Sequence, residues 1–211
     1  MGRLDVTPDR SLTAVARVVS IPGMADRDTS TTRTGLVREA AVFQLRAEIV
    51  LPAEPSDIYP VISDLARSGE WSPECRGGSW VDGRPSALGA VFRGDNLRGP
   101  EVVPWAPVTR GNWSTYAEVV AAEPGRTFRW AMRDSAGARQ DSVWGFDIEA
   151  AGEHSRLIHH FRMGEPTEGI RRITSGMTEE ERRTFFGEWS RKLADDLVFT
   201  LGRIRDAIGR F

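Results

Sequence analysis

The side chains best suited to proton transfer fall in two short alternating runs. Tyr116 and Glu118 lie two residues apart, and His159 and His160 are adjacent. In extended backbone, successive side chains point to opposite faces. Tyr116 and Glu118 therefore share a side, whereas the two histidines divide between sides. Histidine titrates near neutrality, which suits acid–base work or a hydrogen bond to a bound molecule. His160 joins Ile158 and Arg162 on one face, and His159 joins Phe161 on the other. The apolar Ile158 makes His160 the candidate for the inward position, with His159 as the open alternative. The candidates for catalysis are thus His160, Glu118 and Tyr116. Each also fits a solvent-facing role.

Other chemistry lacks its usual groups. The chain has no HExxH, paired CxxC, P-loop, dinucleotide fingerprint or Gly-x-Ser-x-Gly elbow. Three histidines and one cysteine make a transition-metal site unexpected, and no cofactor is expected. Cys75 cannot form an internal disulfide. Arg76 beside it would favour a thiolate, but no histidine stands nearby in sequence, so a structural thiol is the simpler account. A net charge of -2 with scattered arginines argues against a nucleic-acid partner. No apolar run is long enough for a membrane span, and no hydrophobic N-terminal segment resembles a secretory signal. These features are those expected of a cytoplasmic protein. The unusual count is seven tryptophans, large rings that commonly line pockets or interfaces.

The elements that must position these groups follow from periodicity. Residues 1–42 are polar and broken by Pro22-Gly23, and read as an N-terminal arm. Leu12, Val15, Val18 and Val19 are spaced for one short helix in it. The arm either stays flexible or packs on the main domain or a second subunit, which would make a homodimer. Residues 43–211 form the main domain. Phe43 to Leu51 alternates strictly, as a half-buried strand does. Pro52 stops it, and Glu54 to Leu65 reads as a helix with Ile58, Val61, Ile62 and Leu65 inward. Strands follow at 77–81, 89–97, 113–121, 127–133, 142–148 and 156–163, joined by Gly-rich turns. Thr178 to Ile208 is a long amphipathic helix with a Thr178/Glu181 capping box. Its stripe runs through Phe186, Trp189, Leu193, Leu197, Leu201, Ile204 and Ile208, and Phe186 has a better register than Phe185. An antiparallel sheet needs one face covered, and the terminal helix is long enough to cross it. If the sheet curls incompletely around that helix, a cavity remains between them.

This pattern resembles the START-like superfamily, or helix-grip fold, and within it the polyketide cyclase/dehydrase-like proteins of the SRPBCC family. The likeness is carried by Pro52-Ala53-Glu54, Ile62-Ser63-Asp64-Leu65 and Gly69-Glu70-Trp71-Ser72-Pro73. The run Glu74-Cys75-Arg76-Gly77-Gly78, then Trp80, Gly89, Phe92, Trp113, Trp130 and the 118–125 turn fit the same plan. It spans 43 to 208. The resemblance implies an α+β fold in which a curved antiparallel sheet wraps a long C-terminal helix. It also implies a deep cavity that takes small or medium apolar molecules. Its members include lipid carriers, hormone receptors and aromatic-ring cyclases, so the fold alone fixes no activity.

On this plan the expected ligand-binding residues are Trp71, Trp113, Trp130, Trp144, Phe146, His160, Phe186, Trp189 and Leu193. Trp71 stands where the resemblance puts the cavity mouth, or plugs the core there. Phe128, Trp130 and Met132 share one face, as do Trp144, Phe146 and Ile148. These rings either line a cavity or fill the core. Trp105, in the Gly/Pro-rich connection 98–112, is a lid or a pin for its loop. The loop 164–176 flanks the entrance. The expected function is binding of a small hydrophobic molecule, aromatic or polyketide-like. The alternatives are a cyclase/dehydrase-type enzyme using the same cavity, and a non-enzymatic interaction domain using the arm.

Overall fold

The computed structural model describes residues 15–18, as backbone, and residues 42–209. The chain runs through β1 (Val15–Val18), β2 (Phe43–Leu51), α1 (Pro55–Ser63) and a 3-10 turn (Leu65–Glu70). Then come β3 (Cys75–Asp82), β4 (Val91–Arg98), β5 (Gly111–Glu123), β6 (Thr127–Arg133), β7 (Arg139–Ala151) and β8 (His154–Met163). Two helices end it, α2 (Glu168–Thr174) and α3 (Glu179–Ile208). Every pair in the sheet is antiparallel, in the order β1-β2-β8-β7-β6-β5-β4-β3. Strands β3 to β8 form a meander, as short strands joined by tight turns should. The crossover from β2 to β3 is made by α1 and the 3-10 turn.

The alternation of β2 is realised residue by residue. Phe43, Leu45, Ala47, Ile49 and Leu51 are buried toward the helices. The face of α1 carrying Ile58, Val61 and Ile62 is buried as well, and Leu65 follows it into the core. Two expectations change. Val15 and Val18, spaced for a helix, lie in a strand that pairs with the free edge of β2. Their β-branched side chains suit a strand at least as well as a helix; Leu12 and Val19 lie outside the described residues. The segment 164–176, expected as a loop, contains α2, whose N-cap Thr167 accepts a hydrogen bond from the Ile170 amide.

Strand β3 bends sharply where a bulge breaks its register between Cys75 and Gly78. Gly77 adopts φ +102°, and a Cβ on Gly78 would stand 2.0 Å from the Arg93 carbonyl oxygen. Only glycine fits both positions. The bend carries Cys75 against the 3-10 turn, where it accepts a hydrogen bond from Ser68 at 3.0 Å.

Helix α3 opens with the expected capping box: the Glu181 amide donates to Thr178 Oγ1, and the Thr178 amide donates to the Glu181 carboxylate. Trp189, Leu193, Leu197, Leu201 and Ile204 are buried. Phe186, however, is only half-buried, and its neighbour Phe185 is fully buried. The reason is tertiary rather than local. The first turns of α3 are covered by the 99–110 connection, with buried Val103, Ala106 and Val108. Trp105 in that connection packs edge-on against Phe185 and donates its indole N–H to Glu188 at 2.8 Å. The buried face of α3 therefore turns toward this loop at its N-terminal end. Trp105 acts as the pin of its loop. Phe185→Ala should cost about 3–5 kcal/mol of stability, as a large-to-small core change does. Phe186→Ala should cost less than half as much, both read as urea-unfolding free energies.

Candidate functional site

The inward side chains of the meander and α3 do not meet everywhere. A cavity of about 770 Å³ lies between them. Its sheet wall comes from β4 to β8 through Phe92, Trp113, Trp130, Trp144, His159 and Phe161. Facing them are Trp189, Leu193 and Thr200 of α3, with Trp71 from the end of the 3-10 turn and Ile170 and Ile173 from α2. Of the expected residues, Trp71, Trp113, Trp130, Trp144, Trp189 and Leu193 are brought together on this cavity. Trp144 packs against Phe161 with ring centroids 4.2 Å apart.

Five expected residues are placed elsewhere or at the margin. Phe146 is fully buried behind the wall, packed against Trp71, Trp130 and His159. Phe186 does not line the cavity, for the reason given above. His160 points to the outer face of the sheet, with Nε2 3.4 Å from Asp147. Glu118 also faces outward, 3.8 Å from Arg139. Tyr116 stands at the rim, 45% exposed. The inward histidine is His159, which follows Leu157 and precedes Phe161 and Met163 on the buried side of β8. Ile158 misdirects the sequence reading because it is buried yet lies on the outer face, apart from the main core cluster.

His159 is 3% exposed. Its ring stacks on Phe146 at 4.1 Å, nearly parallel, and lies 5.8 Å from Trp144. Nδ1 is 2.9 Å from the Gly145 carbonyl oxygen. A carbonyl only accepts, so Nδ1 carries the hydrogen and Nε2 offers its lone pair. Burial among apolar rings pushes the pKa down to about 3, so the imidazole stays neutral at ordinary pH.

One group of site residues has almost no signature in the sequence. At the cavity's edge, Arg98 donates two hydrogen bonds to Glu74, at 2.7 and 2.8 Å, and a third to the Thr109 carbonyl. Lys192 of α3 bridges Glu74, at 2.6 Å, and Asp196. The Arg98 guanidinium also lies over Trp113, 4.3 Å from its ring centre, and 5.0 Å from that of Trp189. Burial opposes ionisation of Glu74, but the Arg98 hydrogen bonds and the Lys192 charge outweigh it and hold its carboxyl below the usual range. Burial pushes the Asp196 carboxyl up despite Lys192. The only sequence signal is the four-residue spacing of Lys192 and Asp196 on the helix. Among the described residues, no cluster of His, Cys, Asp and Glu is arranged to hold a metal ion.

A curved antiparallel sheet holding a long C-terminal helix is a helix-grip arrangement. The family model described as Polyketide cyclase / dehydrase and lipid transport matches residues 42–194, and the chain belongs to that family. Among solved structures, the Polyketide_cyc-like protein Cgl2372 from Corynebacterium glutamicum is 26% identical, with a TM-score of 0.49, over 78% of this chain and 88% of that one. The di-domain ARO/CYC StfQ from the steffimycin biosynthetic pathway is 13% identical, with a TM-score of 0.54, over 77% of this chain and 49% of StfQ. A protein from Arthrobacter aurescens is 10% identical, with a TM-score of 0.52, over 80% of this chain and 87% of that one. At such identities the last two show the fold alone. No curated protein matches the chain.

The buried histidine makes stability depend on pH with a definite sign. The unfolded side chain protonates near 6.5, whereas the folded one does so only near 3. Its contribution is therefore complete above pH 6.5 and declines as pH falls through that window, by about 1.4 kcal/mol per unit. Between pH 7 and 4.5 the loss should reach about 2–3 kcal/mol. Chemical denaturation at each pH should show this slope in the wild type and a shallower one in His159→Phe.

Proposed function

We propose that this protein binds a small, apolar, aromatic molecule in the chamber between sheet and terminal helix, as a carrier or sensor. The observation that carries the reading is the wall itself. Five of the seven tryptophans, Trp71, Trp113, Trp130, Trp144 and Trp189, border one cavity. Its volume of about 770 Å³ falls within the range of small-molecule sites. Indole faces pack well against planar rings, and burial of apolar ligand area supplies about 25 cal/mol per Å² before ordering costs. The family takes in both cyclases and lipid-transport proteins, and either role needs such a chamber.

Binding is favoured over cyclase or dehydrase chemistry by the placement of the polar groups. His160 and Glu118 lie on the outer face, so they cannot reach a molecule in the chamber directly. The histidine that lines the chamber is a weak base, because burial disfavours its charged form. A fluorescent, uncharged naphthylamine probe should bind the wild-type protein. Leu193→Trp, which sets a bulky ring in the chamber wall and narrows it, should weaken that binding at least tenfold while thermal unfolding stays cooperative. Unchanged binding in the folded variant, or no binding by the wild type, would count against the chamber as the site. Native mass spectrometry with solvent extraction of the purified protein is expected to release a planar apolar compound.

A further inference from the structure

We infer that His159 is the specificity-determining residue of this chamber, accepting a hydrogen bond at Nε2 from a neutral hydroxyl of the ligand, a phenol or enol. The inference deepens the binding reading and rests on it. Three observations converge. First, the Gly145 carbonyl uses Nδ1–H, which fixes the tautomer and leaves Nε2 as an acceptor. Second, His159 borders the cavity, and its Nε2 has no protein partner among the described residues and is not sealed from the cavity. Third, the ring cannot swing away: it is clamped in its orientation by Phe146, stacked at 4.1 Å, and by Trp144.

An acceptor fixed in an apolar wall discriminates strongly. A ligand that donates a hydrogen bond there satisfies the site, whereas one that presents an ether or a carbonyl leaves Nε2 desolvated and unpaired. The alternative of an anionic ligand finds less support. The cations that border the cavity already have partners: Arg98 is held by Glu74 and the Thr109 carbonyl, Arg172 lies near Glu168, and Arg133 donates to the Gly137 carbonyl. A carboxylate or phenolate beside His159 would face a lone pair. The geometry therefore calls for an uncharged hydroxyl on a planar apolar body that can lie beside Trp144.

Calorimetric titration with 2-naphthol and 2-methoxynaphthalene separates this inference from the reading beneath it. Wild-type protein should bind both, and the naphthol about five- to tenfold more tightly, as one buried neutral hydrogen bond allows. His159→Phe should keep the methoxy compound and lose the preference. Equal wild-type affinities would overturn the role of His159 and leave the chamber reading standing. Failure of both compounds to bind would overturn the chamber reading, and this inference with it. A second measurement needs no variant. A nitrophenol bound to the wild type should ionise at higher pH than in water, visible in its absorption, because a neutral acceptor in an apolar site favours the protonated form. A downward shift would overturn the proposal.

Discussion

One helix cannot cover this sheet, and the rest of the molecule follows from that mismatch. Strands stand about 4.8 Å apart, so the seven from β2 to β8 and β3 span roughly 29 Å. A helix with its side chains is about 10–12 Å across. Curling narrows the gap without closing it. Helix α3 resolves the conflict by committing its C-terminal half to one side. Leu197, Leu201 and Ile204 are fully buried, near the alternating face of β2 and beside α1. The opposite half of the sheet, β4 to β7, is not packed against α3 in this way; α1 covers part of β6 and β7, and the 3-10 turn part of β4. Phe92, Trp113, Trp130 and Trp144 there face the remaining space, and that space is the cavity, while Phe128 and Phe146 are packed into the core.

The charge network stands where the packed part of α3 gives way to the open part. Lys192 and Asp196 sit between Trp189 and Leu197 in sequence; Lys192 pairs with Asp196 and reaches Glu74 before β3, which in turn holds Arg98 at the end of β4. Two cations and two anions cancel in charge, but each has lost much of its water. Such desolvation consumes most of the Coulombic gain, so the network is weak evidence for stability. Its consequence is geometric. It ties α3 to the β3–β4 end of the sheet at a fixed height, across a region where apolar packing alone leaves the helix unsupported. Arg98 also packs over Trp113 and near Trp189, which holds two of the cavity rings in place. A helix that stands off its sheet needs such a strut.

Much of this was legible in the residues. The strict alternation from Phe43 to Leu51 and the capping box at Thr178 specify their elements locally, and both form as read. The period-two sets Phe128/Trp130/Met132 and Trp144/Phe146/Ile148 lie on the inward face as read, because the register shifts beside β6 fall between Val119 and Ala121 of β5 and beyond Ala131, leaving the alternation within each set intact. What failed depended on partners distant in sequence. Phe185 and Phe186 are separated by a single step of the helix, and the loop carrying Trp105 decides between them. The Glu74–Arg98–Lys192–Asp196 network joins three segments, and no one of them announces the others. Helix α2 is too short for its periodicity to stand out between Gly164 and Gly176.

The histidine pair shows how one register decision changes the chemistry. Ile158 looks like an inward marker only if burial means facing the helix. A sheet of this width also buries side chains on its outer face, where the charged neighbours Glu48 and Asp147 flank Ile158 in register. With His159 inward, the chamber holds an imidazole deprived of water, stacked on Phe146 and locked by a backbone carbonyl. Burial lowers its basicity, and a weaker base transfers protons less well near neutral pH. The same burial removes competing water from Nε2 and makes an unmet hydrogen bond costly. The features that make His159 a poor catalyst are those that make it a discriminating contact. Burial at this position thus supports the proposed reading of recognition rather than reaction.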